Sequence, residues 1–198
     1  MAVWWLLLQK QEMTQIYLDN KLTSVTLMKF VPQELVRYKS DEKDGYVAAI
    51  LWLNKKTIER KEKKITTYSK MKEFKVDQSF IDAHKEWDLL TIDILKDIDS
   101  VNVTSISKWK WFQWVMKRHN FKGGPATHGS KFHRLPGSIG NRKPRRVNKN
   151  HPLPGHMGTD KITLKNIKVL DVYDDMWIVV LKWSIPGSRN QLVNVYLR

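Results

Sequence analysis

The sequence predicts a mainly β protein: an antiparallel β-barrel body with a long basic, largely non-regular extension inserted in the chain. Short segments rich in Val, Ile, Leu and Thr recur at intervals of about ten residues with turn residues between them, which is typical of a barrel. One stretch, 104–159, interrupts the pattern: it has no Asp or Glu and holds seven of the nine glycines. Strand-like sequence then resumes. The predicted body is therefore 1–107 with 160–198, and the predicted root and extension are 108–159.

The body is predicted to begin with a hairpin. Residues 3–30 form two strands around the polar turn Leu18-Asp19-Asn20-Lys21. A connection over 32–37 leads into another short strand, and Asp44-Gly45 is a turn. The run 46–53 is continuously apolar, which indicates a buried strand.

The middle of the chain is predicted to be less regular. The stretch 55–75 is charged and almost without aliphatic residues, so we expect a solvated excursion that is weakly helical at best. Residues 112–119 are expected to form two helical turns with Lys117 and Arg118 on one side, and Asp174-Asp175 is a turn. The remaining strand predictions are 74–76, 89–95, 101–106, 162–173, 178–181 and 192–197.

The charge of 104–159 is one-sided. The stretch contains twelve of the 35 Lys and Arg residues and none of the 20 Asp and Glu residues, so it carries twelve of the fifteen net positive charges. Positive charge over such a length repels itself unless a polyanion lies against it. Few apolar side chains lie between Lys122 and Gly158, too few to offset the entropy cost of ordering the segment. Nucleic acid is the predicted partner, with basic side chains on phosphates and histidine or Phe132 stacking on bases or ribose.

Composition argues against several other classes. Cysteine is absent, which excludes a disulfide framework, a thiolate metal site and a cysteine nucleophile. The apolar run 2–8 is too short to span a bilayer and follows no basic region, so neither a membrane partner nor an import or export signal is predicted. No carboxylate lies between Ser105 and Thr159 to orient the five histidines of the stretch for a metal-dependent nuclease, although zinc held by histidines alone stays open. We expect no enzyme activity, no cofactor, no metal and no small-molecule substrate.

A collinear series of short motifs runs through almost the whole chain. The motifs are 13–17 (MTQIY), 44–46 (DGY), 101–104 (VNVT), 107–119, 124–134 (GPATHGSKFHR), 136–140 (PGSIG) and 154–158 (PGHMG). Together they resemble the universal large-subunit ribosomal protein three family in its shorter bacterial form.

The resemblance implies a function. It implies a β-barrel body, and an extension, here 124–158, that penetrates the large ribosomal subunit toward the peptidyl-transferase centre. It also implies binding to large-subunit ribosomal RNA early in assembly, contacts with neighbouring ribosomal proteins, and no catalytic activity. The implied location is the cytoplasm, in the ribosome, or an organellar ribosome if the gene is organellar. In some bacterial relatives a methylated glutamine precedes Met157; His156 stands here, so that modification is not predicted.

We predict that basic side chains of 108–159 bind the RNA. Those expected at the root of the extension are Lys108, Lys110, Lys117, Arg118 and Lys122. Those expected to neutralise phosphates along it are Lys131, His133, Arg134, Arg142, Lys143, Arg145, Arg146 and Lys149. His128 and His156 are expected to contact RNA near its turns. A free-standing single-stranded RNA binder or RNA chaperone is the alternative function.

Tryptophan stands at seven positions where the family usually has glycine. These are Trp5, Trp52, Trp87, Trp109, Trp111, Trp114 and Trp183, whereas Trp4 and Trp177 align with no clear glycine and stay open. The indoles are interpreted as an RNA-stacking platform worth about 1–3 kcal/mol per base, as unusual core residues, or as the product of a codon such as UGA that the source decodes as glycine. Seven substitutions of one kind require one cause. Glycine sites also commonly need a positive φ, which favours the codon explanation.

Overall fold

The computed structural model describes residues 4–60, 63–143 and 145–197 of the 198-residue chain. In this part the chain is mainly β, with antiparallel sheets, as the sequence predicts. The strands are β1 (Trp4–Leu18), β2 (Lys21–Phe30), β3 (Gln33–Lys39), β4 (Ala48–Arg60), β5 (Lys63–Lys75), β6 (Leu89–Leu90), β7 (Ser100–Ile106), β8 (Phe112–Gln113), β9 (Gly155–His156), β10 (Lys161–Tyr173), β11 (Ile178–Lys182) and β12 (Leu192–Leu197). The helices are α1 (Asp41–Asp44), α2 (Gln78–Ala83), α3 (Val115–His119) and a 3-10 turn (Ile92–Leu95).

Six strands form one sheet whose order closes on itself, β1-β12-β7-β10-β11-β2. We call it the closed sheet. Strand β12 alternates buried and half-buried residues, as a strand with one face toward the core does. In β1, by contrast, the consecutive residues Leu6, Leu7 and Leu8 are all buried. Since neighbouring side chains of a strand point to opposite faces, both faces of β1 are covered at this point.

The predicted first hairpin is confirmed. Strands β1 and β2 pair from Leu8↔Phe30 to Leu18↔Lys21. The two turn residues, Asp19 and Asn20, have φ values of 49° and 59°. Asp and Asn tolerate this left-handed conformation, which a tight two-residue hairpin requires.

The prediction for the charged stretch 55–75 needs the largest correction. The stretch was predicted to be a solvated excursion, but β4 and β5 pair along their lengths, from Ala48↔Lys75 to Arg60↔Lys63. Pairs such as Thr57↔Thr66 place β-branched residues opposite each other. Beyond Leu53, where pairing with β3 ends, the two strands form a ribbon. Such a ribbon pairs its inward backbone groups in its own ladder and leaves the outer ones to solvent, so it needs few aliphatic side chains. The resulting second sheet has the order β5-β4-β3-β6.

Two further local predictions were wrong in type or extent. The strand predicted over 89–95 is only the two-residue β6 followed by the 3-10 turn, in which Ile92 and Leu95 are both buried. Their spacing of three places both on one face of a 3-10 turn. The predicted connection 32–37 is mostly strand, because β3 begins at Gln33.

Other boundaries differ by less. Asp44 ends the single turn α1, and Gly45 caps it in the left-handed conformation. Phe74 and Lys75 are the end of β5 rather than a new strand. The strands predicted over 101–106, 162–173, 178–181 and 192–197 match β7, β10, β11 and β12 to within one residue.

The chain divides into two compact units. One consists of Met1–Ser105 with Lys161–Arg198 and contains the closed sheet, the second sheet and most of the buried side chains. The other is Ile106–Asp160, which we call the basic unit. Among the described residues, no helix is long and apolar enough to cross a membrane.

Candidate nucleic-acid interface

The two ends of the basic unit run antiparallel and form a stem, 107–113 with 155–160. At its base the Ser107 N–H donates to Asp160 O at 2.9 Å, and the Asp160 N–H donates to Ser107 Oγ at 3.1 Å. Further along, the Lys110 N–H donates to Met157 O at 2.9 Å. The pairing ends with Phe112↔His156 and Gln113↔Gly155, which are β8 and β9.

Gly158 allows the two sides of the stem to approach this closely. Its φ is 93°, and a Cβ placed on it would lie 2.2 Å from Lys108 O and 3.0 Å from Lys110 N. Both are backbone atoms of the opposite side, so they cannot move aside like a side chain. Only glycine fits this position without changing the pairing.

The helical prediction for 112–119 was too long. Phe112 and Gln113 belong to β8, and only Val115–His119 is helical. Val115 is the buried residue of this helix, and Asn120 ends it with a φ of 58°. One buried residue supports a single turn, and Asn is among the residues that tolerate the left-handed cap.

Helix α3 is tied to the segment before β9. The Arg118 guanidinium donates to Leu153 O, and His119 Nε2 lies 3.1 Å from the same oxygen. Arg118 is half-buried as a result. The Arg118 side chain therefore joins helix α3 to the segment before β9.

A second close approach joins residues 123–124 to 132–133. The Gly124 N–H donates to Phe132 O at 2.7 Å, and a Cβ on Gly123 would lie 1.9 Å from His133 O. The Phe132 ring is half-buried, and a Cβ on Gly137 would lie 3.6 Å from it. The ring packs within the segment but is not fully buried, so its stacking on a base or ribose stays a prediction.

The structure leaves most of the predicted RNA-binding side chains exposed. Arg118 is half-buried; the exposed ones are Lys108, Lys110, Lys117, Lys122, His128, Lys131, His133, Arg134, Arg142, Lys143, Arg145, Arg146, Lys149 and His156. In the described part of the chain, none of the Lys and Arg residues of the basic unit forms an ion pair with a carboxylate. Their charge is therefore available to an external anion.

One open groove in the basic unit brings hydrogen-bond donors together. It is lined by Ser138, Asn141, Arg146, Asn148 and His151, with Ile139 and Gly140. Arg146 was a predicted RNA contact, whereas the two asparagines were not. An amide beside an arginine is a usual contact to phosphate or sugar, but nothing in the sequence marks these asparagines as groove residues.

The histidines do not form a metal site in the part of the chain that is described. No group of three His, Cys, Asp or Glu side chains comes together there. His156 is bound within the stem, because its Nε2 lies 2.9 Å from Gly158 O and 2.8 Å from Thr159 Oγ1.

A row of exposed aromatic rings accompanies the lysines of the stem. Trp109 and Trp111 meet edge to face with centroids 5.0 Å apart, and Phe112 and Trp114 do so at 6.1 Å. Exposed rings interleaved with lysines are typical of proteins that bind single-stranded nucleic acid.

Known proteins resemble the chain over nearly its whole length. A family model described as "Ribosomal protein L3" matches residues 53–177. A protein of Oceanobacillus iheyensis named "Large ribosomal subunit protein uL3" is 34% identical over 195 residues, which cover 94% of this chain and 93% of that protein. Proteins with the same name from Geobacillus sp. (strain WCH70) and Brachyspira pilosicoli are each 36% identical, over 94% of this chain and 92% and 90% of their own lengths.

Proposed function

Because the chain belongs to the ribosomal protein L3 family, whose members are structural and non-enzymatic constituents of the large ribosomal subunit, we propose that it binds large-subunit ribosomal RNA through its basic unit. The observation that carries the proposal is the charge of that unit. Its lysines and arginines are exposed or half-buried and are not paired with carboxylates in the described part of the chain. A polyanion with regularly spaced phosphates is the partner that such a surface fits.

The two units are assigned different roles. The strands of 1–107 and 160–198 are the β-barrel body, and 108–159 is the RNA-binding root and extension. The closed strand order and the division of the chain at Ser105 and Lys161 support this assignment. By its family resemblance, the extension reaches toward the peptidyl-transferase centre.

The RNA contacts are proposed to stabilise the subunit from an early stage of its assembly. The backbone-to-backbone approaches at Gly123 and Gly158 support a defined path for the segment, which RNA would complete by supplying countercharge. Neighbouring ribosomal proteins are the remaining proposed partners. The relatives above are bacterial, which supports the cytoplasmic ribosome as the location.

A free-standing single-strand binder or RNA chaperone is the second candidate, and the exposed rings of Trp109, Trp111 and Trp114 favour it. Sedimentation separates the two functions. A structural component should co-migrate with large subunits, and it should stay with them when they are washed at moderate salt. If the native protein were instead found mainly in the ribosome-free fractions, the structural assignment would be overturned.

Binding to RNA should be steeply salt-dependent. Each phosphate neutralised contributes about 0.7 to 0.9 to the slope of log affinity against log salt. Replacing Arg145 and Arg146 together by alanine should therefore flatten that slope by about one to two units. Filter binding of a large-subunit RNA fragment at several salt concentrations measures it.

The matched control removes two charges from the body. Lys70 and Lys72 of β5 are also exposed, and they lie outside the proposed interface. The double variant Lys70→Ala with Lys72→Ala should leave the slope near that of the unaltered protein. Equal slopes for the two double variants would place Arg145 and Arg146 away from the RNA.

A further inference from the structure

Four of the nine tryptophans have a backbone conformation that tryptophan rarely adopts. The φ values are 70° at Trp87, 56° at Trp111, 57° at Trp177 and 69° at Trp183. In the left-handed conformation the Cβ atom lies too close to the following carbonyl oxygen. A bulky residue with a positive φ is therefore an outlier. The other eight non-glycine residues with positive φ in the described chain include six Asn or Asp, which tolerate it.

Backbone hydrogen bonds hold each of the four residues in this conformation. The Trp87 N–H donates to Leu35 O at 2.6 Å, and Trp111 O accepts from the Met157 N–H at 3.1 Å. Trp177 O accepts from the Phe30 N–H at 2.7 Å. Trp183 donates its N–H to Ser24 O at 2.8 Å, and its carbonyl accepts from Thr26 Oγ1 at 2.7 Å. The positive φ values therefore follow from the fold and not from the indoles.

The indoles themselves add little burial. Their exposed fractions are 56% at Trp87, 68% at Trp111, 43% at Trp177 and 59% at Trp183. Some touch other groups: the Phe30 ring lies 5.8 Å from that of Trp177, and Lys182 Nζ lies 5.5 Å from that of Trp183. Such partly solvated contacts contribute less than full burial of a large aromatic side chain.

A strand tryptophan, Trp5, shows a different conflict. It lies opposite Tyr196 in the register of β1 and β12, and the ring centroids are only 3.3 Å apart, closer than the usual separation of aromatic pairs. Among the described residues, its buried Nε1–H has no hydrogen-bond partner. A tyrosine facing a glycine across two strands is a recognised way to stabilise the glycine. Trp52 is also crowded, because its ring centroid lies 4.0 Å from that of Tyr68.

We infer that the native polypeptide carries glycine at Trp87, Trp111, Trp177 and Trp183 of the printed sequence, and by the same cause at Trp5. One codon that the host reads as glycine, translated here as tryptophan, accounts for all of them. Trp177, which aligns with no clear family glycine, joins the set on its φ and its place in the β10–β11 turn. Glycine adopts the left-handed conformation without steric cost. With glycine at these positions, the backbone preference of each residue is the same as the conformation that the fold requires.

Mass spectrometry of the protein from its own host tests the inference directly. Peptides that cover these five positions should have the mass of glycine at each, and the corresponding gene positions should share one codon. Intact tryptophan at Trp177 and Trp183 in the native peptides would overturn the proposal. Glycine there with different codons would refute the single cause.

A stability comparison in recombinant protein tests the physical reason. Trp177→Gly and Trp183→Gly should each raise the midpoint denaturant concentration of unfolding relative to recombinant protein with tryptophan at all nine positions. The matched variants Trp177→Ala and Trp183→Ala also remove the indole but keep the Cβ that opposes a positive φ, so they should gain less.

Trp109 is the control position. It is as exposed as Trp183, but it is not among the residues with a positive φ. Trp109→Gly should therefore show no advantage over Trp109→Ala. If alanine matched glycine at positions 177 and 183 as well, the backbone argument would fail.

Discussion

Replacing Gly158 by alanine should open the stem of the basic unit. The added Cβ would meet Lys108 O at 2.2 Å, and the φ of 93° lies outside the range that alanine adopts readily. Relief requires the two sides of the stem to separate, which breaks the bond from the Lys110 N–H to Met157 O. Strain and lost pairing together should cost about 3 kcal/mol or more. We expect the loss of amide protection at Lys110 and Met157 and weaker RNA binding.

Hydrogen exchange followed by NMR measures this at the two amides. Gly140→Ala is the control, because a Cβ on Gly140 meets nothing within 4 Å and its φ is not in the left-handed range. That variant should exchange like the unaltered protein. If Gly158→Ala kept full protection at both amides, the close approach of the two sides would not depend on glycine.

Replacing Gln33 by leucine should destabilise the body strongly. Gln33 is fully buried, and its side chain makes two bonds to one residue of β1. Its Nε2 donates to Leu7 O at 2.9 Å, and its Oε1 accepts from the Leu7 N–H at 3.1 Å. The register between β1 and β2 begins at Leu8, so the Gln33 amide takes the place of a strand partner for Leu7.

Leucine has a similar volume but bonds neither group. A buried N–H and a buried carbonyl would then lack partners, at about 1–3 kcal/mol each. The free energy of unfolding should fall by roughly 2–4 kcal/mol, measured by urea denaturation. Gln78→Leu is the control, since Gln78 is exposed and its amide bonds only to Asp82 at 3.3 Å among the contacts described. A loss no larger than that of the control would mean that Leu7 finds other partners.

Local chemistry was enough to predict several elements. Asp19 and Asn20 marked the first hairpin, because they tolerate the positive φ of a tight turn. Alternating apolar residues predicted β7, because a half-buried strand needs this period of two. The mainly β class and the antiparallel sheets followed from such segments.

Pairing between distant residues was harder to predict. Beyond Leu53, the hairpin of β4 and β5 is built from charged sequence whose strand character comes from the ladder between its two sides. The stem has the same origin: Ser107 meets Asp160 only because the chain returns after a long excursion. Hydrophobic period carries no information on pairs of exposed residues such as Thr57↔Thr66.

The candidate interface divides in the same way. Its charge and its lack of carboxylates can be counted in the sequence, and exposed lysines need no fold to favour phosphate. The fifteen residues predicted to bind RNA remain a prediction. The tertiary structure adds that Arg118 is held by Leu153, that Phe132 packs within the segment, and that Asn141 and Asn148 share a groove with Arg146.

The sequence by itself determined the composition-dependent properties: the mainly β class, the basic stretch and its acid-free length, and the family to which the motifs belong. Only the tertiary structure decided which charged segments pair as strands. It also decided which side chains predicted to bind RNA already form hydrogen bonds within the protein. It also showed which tryptophans stand in a left-handed backbone. The physical reason is that charge and period are sums over neighbouring residues, whereas strand register, close approach and a locked φ arise from contacts between residues far apart in the chain.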